Sequence, residues 1–61
     1  MAKHNLRHAL KKAALLNDLP AVAKAAEAIY RAGYELEDMG FSPLFFDTIC
    51  SQIVASGWVP K

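Results

Sequence analysis

At 61 residues the chain has room for one domain and not two, because compact domains start at about 50 residues. It is 54% hydrophobic with a formal net charge of +1, yet no apolar run approaches the ~20 residues that a membrane-spanning helix needs, and the charge sum predicts no global attraction to polyanions. Cys50 is the only cysteine, which excludes an internal disulfide framework, gives no zinc-type Cys/His spacing and fits a reducing, cytoplasmic setting.

The first predicted element is a helix over about 3–16. At 100° per residue, Leu6, Ala9, Leu10, Ala13 and Leu16 share one side, and Lys3, His4, Arg7, His8, Lys11 and Lys12 occupy the other. Leu15 alone falls on the polar side. The apolar stretch Ala13 to Leu16 is too short for a signal-peptide core of about 7–15 residues. Asn17 and Asp18 then stop the helix, and Pro20 opens the next, with Asp18 or Leu19 as its cap.

The second helix is expected over about 20–39. Its alanines give it high intrinsic propensity. Val22, Ala25, Ile29, Ala32, Leu36 and Met39 follow the alternating three- and four-residue spacing of a heptad seam. Gly33 costs such a helix about 1 kcal/mol relative to Ala, which predicts a local bend or a close contact there. Gly40 reads as the C-terminal cap.

Ser42-Pro43 is the strongest helix-start signal, a capping hydroxyl followed by proline at the first helical position. The third helix, over about 43–56, is expected to turn Phe45, Phe46, Ile49, Cys50, Ile53 and Val54 inward and Asp47, Thr48, Ser51 and Gln52 outward. Gly57 ends it, Val59 and Pro60 do not extend it, and Trp58 is expected to fold back onto the core. The pattern as a whole predicts a single all-α, three-helix domain over 1–61, with no strand and no internal repeat. The first two helices form an antiparallel hairpin, and the third closes it.

Charge is distributed unevenly. Residues 1–12 hold Lys3, Arg7, Lys11 and Lys12 without an acid, and residues 35–47 hold Glu35, Glu37, Asp38 and Asp47 without a base. Bases near a helix N-terminus and acids near a C-terminus both oppose the helix dipole. In an antiparallel hairpin those two ends are neighbours, so the bases of the first helix are expected to pair with Glu35, Glu37 and Asp38, within one chain or between subunits.

No catalytic constellation emerges: there is no phosphate-binding glycine loop and no nucleophile with an evident base, and Cys50 lies among apolar residues as a small hydrophobe. His4 and His8 stand one turn apart, but no third ligand is near, so neither a metal nor another cofactor is expected. Two surfaces are left. The first is an apolar surplus at Val22, Ala25, Ile29, Ala32, Leu36, Met39, Phe45 and Trp58, suited to another protein or to a second copy in a homodimer. The second is the basic face of Lys3, Arg7, Lys11 and Lys12, suited to a phosphate backbone. The leading expectation is a non-enzymatic accessory or regulatory protein acting through helix-mediated protein interaction. Nucleic-acid binding is the alternative, and no membrane partner is expected.

Overall fold

Three α-helices and one 3₁₀ turn follow from the local signals. In a computed structural model, which describes residues 2–59, they are α1 (Lys3–Leu15), α2 (Leu19–Arg31), the 3₁₀ turn Leu36–Met39 and α3 (Pro43–Ser56). The domain is all-α. Pro60, read from sequence as barring extension of the third helix, lies outside the described residues.

The stop between α1 and α2 is a Schellman motif closed by Asn17, whose φ of 53° is left-handed. Its N–H donates to the Ala14 carbonyl and that of Asp18 to the Ala13 carbonyl, both at 3.1 Å. Asp18 then caps α2, its carboxylate accepting from the Ala21 N–H at 3.3 Å. Ser42 does the same for α3, its hydroxyl accepting from the Phe45 N–H at 3.4 Å.

The second helix is shorter than its apolar pattern predicts. It ends at Arg31 and not near residue 39, because Gly33 takes φ +86° and closes a second Schellman motif: Gly33 N–H to the Tyr30 carbonyl at 3.0 Å, Tyr34 N–H to the Ile29 carbonyl at 3.2 Å. Nothing lies within 4 Å of where a Gly33 side chain would begin. The glycine is there for its backbone, not for a close approach. Leu36 and Met39 still turn inward, but from the 3₁₀ turn.

The three-residue connection and the contacts at its far end make α1 and α2 antiparallel. Lys3 Nζ lies 5.6 Å from the centroid of the Tyr34 ring, and Arg7 Nε–H donates to the Met39 carbonyl at 2.6 Å. The start of α1 therefore lies beside the segment that follows α2. The helix α3 advances in the same sense as α1, with Phe41 and Phe45 near Arg7 at one end and Gln52 near Ala14 and Asn17 at the other.

The core is aliphatic. Leu6, Leu10, Ala13 and Ala14 of α1, Val22, Ala25, Ala26 and Ile29 of α2, Met39, and Ile49 and Ile53 of α3 are buried. Phe41, Phe45, Tyr34 and Trp58 pack against this cluster and stay half-exposed. Trp58 folds back, its ring edge-on to Tyr30 with centroids 6.2 Å apart.

Four facings differ from expectation. Ala9, expected on the apolar side of α1, is exposed. Leu16 is the C-cap of α1 and is exposed, while Ala14 is buried in its place. Val54 is 80% exposed, because the buried stripe of α3 is centred on Ile49 and Ile53. Gln52 turns inward, donating to the Ala14 carbonyl at 3.0 Å and to Asn17 Oδ1 at 3.2 Å. It supplies the carbonyl end of α1 with a partner from a different helix.

Candidate docking surface

The basic face of α1 is split by the fold into a tethered half and a free half. Lys3 rests on the Tyr34 ring, and Arg7 is held twice, through Nε–H to Met39 and through its guanidinium carbon 4.9 Å from the Phe41 ring centroid. These are cation–π contacts and a carbonyl hydrogen bond. Within the chain, the expected pairing with Glu35, Glu37 and Asp38 is not formed. The one ion pair among the described residues joins Arg31 to Glu27 at 3.6 Å within α2, an exposed pair of small weight. With α2 ending at Arg31, the three acids lie in the 3₁₀ turn and its approach, so the helix-dipole opposition that motivated the pairing does not arise on that side.

The free half runs from His8 to Leu16. His8, Lys11 and Lys12 are exposed, and Leu15 and Leu16 stand beside them at 68% and 67% exposure. These five residues line one shallow recess of about 310 Å³. Lys11 and Leu15 also line an adjoining groove of about 310 Å³ between α1 and the start of α3, together with Arg7, Phe41, Ser42 and Phe45. Phe41 and Phe45 meet edge-to-face there with centroids 5.3 Å apart. No acid lines either depression.

The sequence-derived apolar surface divides differently. Val22, Ala25, Ile29 and Met39 are buried in the chain's own core, Ala32 is exposed, and Leu36 is half-buried. What remains for a partner from that set is Ala32, part of Leu36, Phe45 and Trp58. Phe45 belongs to the groove just described. Trp58 belongs to a separate groove of about 400 Å³ with Tyr30, Tyr34, Phe46 and Cys50. Leu15, Leu16 and Phe41 were not among the expected interaction residues. The signal for Leu15 was its place on the polar side of the first helix.

Cys50 is a half-buried free thiol in that second groove. His4 and His8 are exposed, and among the described residues no three His, Cys, Asp or Glu side chains come together as a metal site would require. No described helix is long and apolar enough to cross a membrane. No family model matches the chain, and no curated protein or solved structure matches it significantly.

Proposed function

We propose that this chain is a small, non-enzymatic accessory or regulatory module of the cytoplasm that works by docking its helical surface onto another protein. The observation that carries the reading is the pair of exposed leucines, Leu15 and Leu16, set among His8, Lys11 and Lys12 and continuous with the Phe41–Phe45 groove. Exposed aliphatic side chains rimmed by polar groups are how protein contact surfaces are built. A phosphate backbone gains nothing from them. Of the four bases suited to nucleic acid, Lys3 rests on the Tyr34 ring and Arg7 is held against the Phe41 ring with its Nη donors still open, so a phosphate backbone would have to follow bases interrupted by apolar side chains. The unpaired thiol of Cys50 agrees with a reducing compartment.

The test is affinity capture from native lysate on immobilised chain, with and without nuclease, beside the variant Leu15→Asp/Leu16→Asp. The expected result is a protein partner retained after nuclease and lost on the variant. Retention that disappears with nuclease, or salt-sensitive heparin binding abolished by Lys11→Gln/Lys12→Gln, would transfer the function to nucleic acid.

A further inference from the structure

The groove between α1 and α3 carries a cation already fixed in place, and this narrows the chemistry of what fits it. Arg7 Nε–H is committed to the Met39 carbonyl at 2.6 Å, and the guanidinium lies against the Phe41 ring at 4.9 Å. Two contacts of different kinds hold the side chain, so the rotamer entropy that a flexible arginine loses on binding is already lost on folding. The four Nη hydrogens have no acceptor among the described residues. A planar fork with free parallel donors matches a carboxylate, which it can bind bidentately.

The remaining lining decides between carboxylate sources and phosphates. Lys11, one turn from Arg7, adds a second positive charge, and no acid opposes either. Leu15, Phe41 and Phe45 supply an apolar floor beside the two cations. We propose that this groove binds an acidic, aliphatic-rich segment of a partner protein, with a carboxylate on Arg7 and an aliphatic side chain on the floor made by Leu15, Phe41 and Phe45. The proposal rests on the docking function above and names the partner's chemistry. A nucleic acid would satisfy Arg7 but leave the floor against a charged backbone. The chain's own acidic-aliphatic run, Glu35 to Met39, is spent internally, with Met39 2% exposed and Leu36 half-buried, so a second copy is not the favoured occupant.

The experiment titrates a short synthetic peptide alternating glutamate and leucine into the full chain while backbone amide NMR shifts are followed. Two control peptides replace every glutamate by lysine or every leucine by serine. The expected result is shifts at Arg7, Lys11, Leu15, Phe41 and Phe45 with the Glu/Leu peptide and none with either control. Because Arg7 also supports the fold, the decisive variants are at exposed positions: Lys11→Glu weakens binding about tenfold or more, and Leu15→Asp abolishes it while the spectrum stays folded. Equal binding of the lysine peptide, shifts confined to other surfaces, or displacement by an oligonucleotide would each overturn the proposal. So would a concentration-dependent dimer lost on Leu15→Asp, which makes a second copy the occupant. If the peptide fails while protein capture still depends on Leu15 and Leu16, only the partner's chemistry falls; if both fail, the docking function falls with it.

Discussion

Asn17 and Gly33 end their helices with the same hydrogen-bond pattern but meet the left-handed conformation on different terms. Glycine takes φ +86° without cost, whereas a side chain there is strained by about 1–2 kcal/mol. Since nothing surrounds the added methyl group, the substitution Gly33→Ala isolates the backbone term. It is expected to destabilise the domain by about 1 kcal/mol, a drop in Tm of about 4–8 °C for a domain of this size, read by thermal circular dichroism. Asn17 sits at φ 53° and offers Oδ1 to the Gln52 amide at 3.2 Å. In Asn17→Gly the relief of backbone strain and the lost acceptor oppose each other, so stability is expected to change by less than about 0.5 kcal/mol. Asn17→Leu loses both the acceptor and the tolerance for this conformation. A urea titration showing Asn17→Leu no less stable than Asn17→Gly would contradict this account.

At the scale of the element, the parts with a chemical punctuation mark were legible and the parts without one were not. Pro43–Ser56 was readable to the residue because Ser42, Pro43 and Gly57 each do one local job. The α1 stop was readable because Asn17, Asp18 and Pro20 agree. Gly33 was misread as an interior cost because the apolar spacing ran on to Met39, and a heptad pattern does not distinguish a continuing helix from a 3₁₀ turn that also faces inward. The antiparallel hairpin was therefore expected partly for a reason the structure removes. Besides the shared aliphatic core, the far end of α1 is tied by Lys3 on Tyr34 and Arg7 on Met39 and Phe41, long-range contacts that no spacing rule encodes. The groove was half legible: its bases and Phe45 stood out, whereas Phe41 gained its role only once α3 was placed beside α1. The caps permit a direct test. Asp18→Ala and Ser42→Ala each remove an acceptor at a rather long 3.3 or 3.4 Å, so each is expected to cost about 0.5–1 kcal/mol. Because they cap different helices, the double variant is expected to lose the sum in urea denaturation.

For the whole molecule, the absence of rings from the buried set and their presence along the grooves have one cause. Four of the buried side chains are alanines, Ala13 and Ala14 on α1 and Ala25 and Ala26 on α2, and the rest are aliphatic or Met39, an interior of small volume with little room for an aromatic ring. Phe41, Phe45, Tyr34 and Trp58 therefore pack around the edge, where part of each ring faces outward and lines a recess. The Cα radius of gyration of 10.1 Å is close to the ~10.5 Å expected of a compact domain of this length, so the grooves are features of a well-packed body and not of a loose one. Such a body has little stability in reserve: roughly 0.05–0.15 kcal/mol per residue amounts to about 3–9 kcal/mol in all. Ile49 is fully buried on α3, and truncation of an isoleucine in a core costs about 2–5 kcal/mol. Ile49→Ala is thus expected to remove roughly half of the total stability, by the middle of both ranges, and to lower the urea midpoint accordingly. Leu44 lies on the same helix at 83% exposure, and Leu44→Ala is expected to change stability by less than about 0.5 kcal/mol. Urea midpoints that fell equally for the two variants would mean that α3 does not close the core in the way the buried stripe of Ile49 and Ile53 requires.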